Sequence, residues 1–82
     1  MIKLYVLFSD KKDDNGKLIE ILSVNYSDMK IPNLEMDVFE YDEENYSILT
    51  FLKDLKKKYP EACEYTSKSD PEILNWDLIN EE

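Results

Sequence analysis

Residues 2–9 place an apolar side chain at every second position, and this alternation constrains the fold more than any other feature of the sequence. Successive side chains of a strand point to opposite faces, so a period of two indicates a strand with one buried face. The segment is also rich in β-branched and aromatic residues, which favour strands. The residues on the predicted buried face are Ile2, Leu4, Val6 and Phe8. The sequence therefore predicts a strand at the N-terminus.

A hairpin is predicted to join this strand to a second one at residues 18–26, because residues 13–16 read Asp-Asp-Asn-Gly, a strong turn signal. A three-residue loop at 14–16 keeps the apolar faces together, whereas a two-residue turn mixes them. Gly16 then takes the left-handed position of a bulge, which glycine adopts easily. The same register sets Asp10 against Glu20, an unfavourable like-charge pair. The predicted cross-strand pairs are Phe8 with Leu22, Val6 with Val24, and Leu4 with Tyr26.

A third strand is predicted at residues 34–41, after a loop that contains Pro32. Its alternation again separates two faces. One face is apolar and consists of Leu34, Met36 and Val38, and the other is mixed and consists of Glu35, Asp37 and Phe39. We expect the mixed face to be turned to solvent, as is common in antiparallel sheets.

A long helix is predicted at residues 42–59 and is the clearest helical pattern in the chain. Asp42 is a suitable N-cap, and acidic side chains directly after it complement the positive end of the helix dipole. Three lysines at residues 56–58 complement the negative end, and Pro60 is predicted to end the helix. The apolar residues at helical spacing are Ile48, Leu49, Leu52, Leu55 and Tyr59, with Phe51 beside them.

The C-terminal part is ambiguous. Residues 61–69 fit a loop, or a short strand through residues 63–66. For residues 71–79 a short helix is favoured, because Pro71 suits a first helical position, but alternation around Trp76 leaves a strand open. The predicted fold class is α+β. It comprises a three-stranded antiparallel β-meander, one main helix packed on it and a short C-terminal helix or strand, all in a single domain of residues 1–82.

Charge is the outlying property of the composition. Asp and Glu number 19 against 10 basic residues, all lysine, and the net charge is −9. Direct binding to nucleic acid is disfavoured, because Lys and Arg neutralise phosphates. The chain has neither His nor Arg and only one glycine, so it lacks an imidazole base, a bidentate anion clamp and a phosphate-binding loop. We therefore predict a protein that is not an enzyme and has no cofactor.

Two features invite a metal or thiol interpretation, and both are weak. In a calcium-loop alignment on Gly16, Lys11 falls where the first acid belongs and Leu22 where the bidentate Glu belongs. Cys63 has no histidine to activate it, so a half-buried structural cysteine is expected. No metal site is predicted.

Six acids in ten residues, with no base among them, form a predicted negative ridge for binding a partner. They are Glu35, Asp37, Glu40, Asp42, Glu43 and Glu44. A second acidic group lies in the tail and consists of Asp70, Glu72, Asp77, Glu81 and Glu82. Trp76 is added to the predicted partner-binding residues, because tryptophan is favoured at the energetic centres of interfaces.

In size, charge and lack of catalytic groups, the chain resembles the DNA-mimicking inhibitors of phages and mobile elements, including anti-CRISPR proteins. The resemblance is one of bulk properties. It implies an acidic inhibitor that occupies the channel of a basic nucleic-acid-binding protein. The alternatives are an immunity or antitoxin-type protein that neutralises a basic toxin or nuclease, and an acidic interaction subunit that binds through apolar surface. The apolar candidates are Tyr5, Tyr26, Phe39 and Trp76.

No association with a membrane is expected, since the apolar run at residues 4–8 is too short for a signal peptide or a transmembrane span. The predicted location is the cytoplasm, of the host if the protein is phage-encoded.

Overall fold

A computed structural model describes residues 1–28 and 30–69 of the chain. Three antiparallel strands form one sheet, and two helices follow them in sequence. The elements are β1 (Ile2–Phe8), β2 (Ile21–Asn25), β3 (Met36–Tyr41), α1 (Ile48–Lys58) and α2 (Pro60–Ser69). The predicted α+β class is confirmed. The predicted helix or strand at residues 71–79 lies outside the described residues.

The order of the strands differs from the predicted meander. A meander has the second strand in the centre, whereas the observed order is β2-β1-β3. The reason is that β1 is buried on both faces: Val6 and Phe8 face the helices, and Leu7 on the opposite face is only 3% exposed. Most of β2 and β3 is half-buried or exposed, which suits edge strands. The segment 26–35 must therefore bring the chain back along the sheet and past β1.

The predicted three-residue hairpin loop at 14–16 is confirmed. The N–H of Asp13 donates to the carbonyl of Lys17 at 2.9 Å across the base of the loop. The Asp13 carboxylate accepts from the N–H groups of Asn15 and Lys17, both at 2.9 Å. Gly16 has φ 79°, in the left-handed region that a side chain disfavours.

The register between β1 and β2 is only partly as predicted. Val6 pairs with Val24 as expected, but Phe8 pairs with Ile21 instead of Leu22. A register shift next to Phe8 places an extra residue in β2. Ile21 is consequently buried, at 1% exposure, while Leu22 is 41% exposed.

A second shift lies closer to the loop and separates the predicted like-charge pair. The backbone bonds join Ile19 to Lys11 and then Ser9 to Glu20, so Asp10 is the extra residue on the first strand's side. Glu20 instead lies 3.5 Å from the ammonium of Lys11. The two shifts have opposite sense, and the original register is restored at Val24.

The main helix begins later than predicted. Ser47 is its N-cap, and its hydroxyl accepts from the N–H of Thr50 at 3.0 Å. The predicted N-cap, Asp42, instead begins a turn, with its carbonyl accepting from the N–H of Asn45 at 3.0 Å. A serine hydroxyl five residues closer to the apolar repeat caps as well as a carboxylate does, so cap preference alone did not distinguish the two starts.

Residues 61–69, predicted as loop or strand, belong to α2. Pro60 does end α1, as predicted, but it is also the first residue of the next helix, a position that proline favours. Ala62, Cys63 and Thr66 recur at helical spacing on the buried face. The Thr66 hydroxyl accepts from the N–H of Ile21 at 2.9 Å, which ties α2 to the start of β2.

The core lies between the sheet and the helices. Ile48 and Leu49 were predicted to face it but are 46% and 37% exposed, because the helix turns Phe51 inward instead. The buried cluster consists of Leu4, Val6, Phe8, Ile21, Phe51, Leu52, Leu55, Ala62 and Cys63.

Replacement of Gly16 by alanine tests the loop. An added Cβ meets no atom within 4 Å, so the effect is purely conformational. We expect Gly16→Ala to lower the free energy of unfolding by about 1 kcal/mol, and Gly16→Asn by less, since asparagine tolerates the left-handed region. Urea denaturation measures both. Equal stability of all three proteins would contradict the left-handed assignment.

Candidate functional site

The predicted faces of the third strand are reversed. Opposite Leu4 and Val6 on β1 lie Phe39 and Asp37, so these two side chains are on the helix-facing side of β3. Phe39 packs against Phe51 at 5.6 Å between ring centroids and is therefore not the exposed contact residue that was predicted. Alternation alone did not reveal the buried face, because both faces carry apolar side chains.

Asp37 is part of a structural network instead of a free surface charge. Its carboxylate lies 2.8 Å from the ammonium of Lys58 and accepts a hydrogen bond from the Tyr59 hydroxyl at 2.5 Å. Its other oxygen accepts from the N–H of Val38 at 2.8 Å. Burial alone raises the pKa of Asp37, but the bonds from Lys58, Tyr59 and Val38 and the charge of Lys58 together lower it below 3.8.

The other members of the predicted ridge fall into two groups. Glu35 is exposed and lies 3.8 Å from the ammonium of Lys12, at the end of β3 nearest the hairpin loop. The remaining four lie at the other end of β3, and we call them the acidic end: Glu40, Asp42, Glu43 and Glu44. All four are exposed. The structure therefore does not form one continuous ridge from residue 35 to residue 44.

In the described part of the chain, few cations lie beside the acidic end, and the one on the sheet is Lys3, directly opposite Glu40 in the pairing of β1 with β3. Glu43 lies 3.9 Å from the N-terminal ammonium. Among the described residues no cation lies within salt-bridge distance of Glu40, Asp42 or Glu44. Because α1 has no acid in its first turn, the predicted role of Glu43 and Glu44 in complementing the helix dipole is wrong.

Three tyrosines lie beside the acidic end. Tyr41 stacks on Tyr46 at 5.8 Å between centroids, and the hydroxyls of Tyr46 and Tyr26 are 3.4 Å apart. This hydroxyl contact, with burial, raises the pKa of Tyr46 to about 12. Tyr26 lies beyond the end of β2, so its predicted pair with Leu4 is not part of the strand pairing, and it is 65% exposed.

The sequence interpretation missed Tyr46. It lies between β3 and α1 and was assigned to the helix, where it had no evident role. The signal that could have identified it is Ser47, a good N-cap directly after it. The nearby Tyr41 hydroxyl donates to Asp54 of α1 at 2.7 Å, which fixes this tyrosine cluster against the helix.

Lysines gather at the opposite end of the molecule, around an open groove of about 500 Å3. Lys17 and Lys58 line this groove, but each already lies near a carboxylate: Glu61 at 3.4 Å and Asp37 at 2.8 Å. The groove therefore has little net charge to offer a ligand.

Trp76 and the five acids of the tail lie outside the described residues. Within the described residues there is no group of three or more His, Cys, Asp or Glu side chains placed to hold a metal ion. None of the described helices has the length and apolar character that a membrane span requires.

Comparison of the chain with protein-family models, with curated proteins and with solved structures finds no match.

The Asp37 network predicts a defined pH dependence of stability. Asparagine at position 37 keeps the volume but removes the charge, and we expect a loss of about 1–2 kcal/mol in the free energy of unfolding at pH 7. The pKa of Asp37 is lower in the folded protein than in the unfolded chain. The stability that its charge contributes is therefore fully present above the unfolded pKa of about 3.9 and is lost as the pH falls through the pKa of the folded protein. Urea denaturation from pH 7 to about 2.5 should show the two proteins converging. A difference in the free energy of unfolding that stays the same at every pH would contradict a stabilising role for the Asp37 charge.

Cys63 should be unreactive in the native state. It is 2% exposed, and burial raises its pKa to about 12 despite the opposing charge of Lys56. We expect labelling by a disulfide reagent at pH 8 to be at least ~100-fold slower than in urea, since the thiolate is the reacting form. Rapid labelling of the folded protein would show that α2 opens readily.

Proposed function

We propose that this protein is a small acidic inhibitor that binds a basic nucleic-acid-binding protein by imitating the charge of nucleic acid. The observation that carries the proposal is the acidic end, where three exposed carboxylates have no cation within salt-bridge distance among the described residues. Unneutralised charge at a surface attracts a partner of opposite charge and accelerates encounter.

Exposed tyrosine and aliphatic side chains next to the acids support an interface instead of a merely solubilising surface. Tyr26 is 65% exposed, and Ile48 and Leu49 follow the acidic end on the first turn of α1. Aromatic side chains supply much of the energy of protein interfaces, and charge at the rim supplies orientation. Tyr26 also serves the alternative in which the protein is an interaction subunit that binds through apolar surface.

An immunity or antitoxin-type protein that neutralises a basic toxin or nuclease uses the same physical interactions. The two functions differ in the partner and not in the surface. The proposed location is the cytoplasm, and catalysis is not part of the proposal.

Capture of partners from a host lysate tests the function. At about 0.1 M salt we expect the chain to retain a basic nuclease or nucleic-acid-binding protein, and at about 1 M salt to release it, because the Debye length falls from ~10 Å to ~3 Å. Mass spectrometry identifies the partner. A neutral partner that stays bound at high salt would overturn the proposal in favour of apolar docking.

Matched charge reversals locate the surface. Glu40→Lys with Glu44→Lys should abolish capture, because it reverses two of the three carboxylates of the acidic end that have no salt bridge among the described residues. Asp10→Lys with Asp14→Lys makes the same change in net charge on exposed residues near the hairpin loop and should leave capture largely intact. Circular dichroism checks the fold of both. Equal loss in the two variants would mean that net charge acts without a specific surface.

A further inference from the structure

The outer edge of β3 carries free backbone groups. The N–H of Phe8 donates to the carbonyl of Glu35, and the same register continues along the strand. Since hydrogen-bonded pairs alternate in an antiparallel ladder, residues 35, 37, 39 and 41 bond to β1 and residues 36, 38 and 40 point away from it. The N–H of Val38 is taken by the Asp37 side chain at 2.8 Å. The N–H groups of Met36 and Glu40 have no partner among the described residues.

The other edge of the sheet, that of β2, is protected. Its first N–H, at Ile21, is bonded to Thr66 of α2. The register shift at Leu22 interrupts the strand as well. In contrast, β3 pairs with β1 over six residues without a shift and contains neither lysine nor proline. Bulges, lysine and proline, which often keep an edge from pairing, are absent from β3, although Asp37 is an inward-pointing charge; β3 is therefore the longer and more regular of the two edges.

Acidic side chains flank this edge on both faces of the sheet. Glu40 lies on the face away from the helices, and Glu35 lies on the helix-facing side. Glu40 forms no salt bridge among the described residues, although Lys3 lies opposite it on β1, and the pair of Glu35 with Lys12 is exposed and 3.8 Å long, hence weak. A strand added along β3 directs alternate side chains to the two faces. Basic residues on either face of such a strand would therefore meet a carboxylate.

We propose that the edge of β3 binds an extended, lysine- or arginine-containing segment of the partner by β-strand addition. This rests on the proposed function and names the way in which the basic partner is held. Main-chain hydrogen bonds give affinity in this mode, and flanking side chains give specificity. A second copy of this chain is a poor occupant, because each chain carries a net charge of −9 and two copies repel one another.

Amide hydrogen exchange with a synthetic peptide tests the proposal. The probe is an eight-residue peptide that alternates Lys with Thr, and its control is the same peptide with every backbone amide N-methylated, which keeps the charge but removes the main-chain donors and blocks pairing with methyl groups. In the free protein the N–H groups of Met36 and Glu40 should exchange rapidly while that of Phe39 is protected. Saturation with the Lys-Thr peptide should slow the exchange of the Met36 and Glu40 N–H groups by ~10-fold or more, and the control peptide should leave their exchange rates unchanged.

A pair of substitutions at one residue separates backbone pairing from charge. Glu40→Gln and Glu40→Pro both remove the carboxylate, but only proline removes the outward N–H, at a position where an edge strand tolerates it. We expect Glu40→Pro to bind the peptide roughly tenfold more weakly than Glu40→Gln. If Glu40→Pro does not fold, the exchange measurement on the unmodified protein decides.

Three results would overturn the inference. The first is slow exchange of the Met36 and Glu40 N–H groups before any peptide is added, which would mean that the chain itself fills the edge. The second is binding of the peptide without slower exchange of these two N–H groups. The third is no binding of the peptide. Each leaves the proposed function standing as long as lysate capture remains salt-sensitive. Loss of that capture defeats the proposed function, whatever the peptide does.

Discussion

The fold depends on the burial of β1 on both faces. Val6 and Phe8 lie under the helices with at most 1% exposure, while Leu7 on the opposite face is 3% exposed. Only Lys3 of this strand is exposed, and a strand so largely buried is most stable in the centre of a sheet, where both of its edges are paired. Once β1 is central, β2 and β3 must be the edges. The segment 26–35 must then return along the length of the sheet.

The acidic residues divide into structural and free groups as a result of this arrangement. Asp37 faces the helices on β3, and the end of α1 brings Lys58 and Tyr59 to it. A partly buried carboxylate requires such partners, because its desolvation is unfavourable unless it is hydrogen-bonded. Glu40 is on the other face of the same strand, is exposed and lies opposite Lys3 without forming a salt bridge to it. The exposed carboxylates that could contact a partner therefore lie mainly at and beyond the C-terminal end of β3.

Local features were predicted well from the sequence. The alternation of β1, the loop at 14–16 and the pairing of Val6 with Val24 each depend on residues close in the chain, and all are confirmed. The lysines at the end of α1 and the break at Pro60 are confirmed for the same reason. Turn chemistry and periodicity act over a few residues, so one sequence contains the information they need.

The errors arose where a distant segment decides between local alternatives. Which face of β3 is buried depends on partners more than 20 positions away, as in the bond between Tyr59 and Asp37. Strand order depends in the same way on where the helices pack. The predicted ridge failed as a continuous surface because alternation was taken to place Asp37 toward solvent. Its members at residues 40–44 remained candidates, since they lie where the strand ends and exposure does not depend on the buried face.

The constraint that fixes the core makes β2, and not β1, the second edge beside β3. A meander would have placed β2 in the centre and made β1 an edge, where alternating apolar side chains would have invited pairing with any hydrophobic strand. In both orders β3 is an edge; the observed order makes β2 instead of β1 the other edge and leaves β3 with carboxylates at both ends and on both faces. An acidic edge on a chain of net charge −9 would disfavour a second copy and favour the basic strand proposed above. Selectivity of the edge thus comes from the same charges that are proposed to steer the partner.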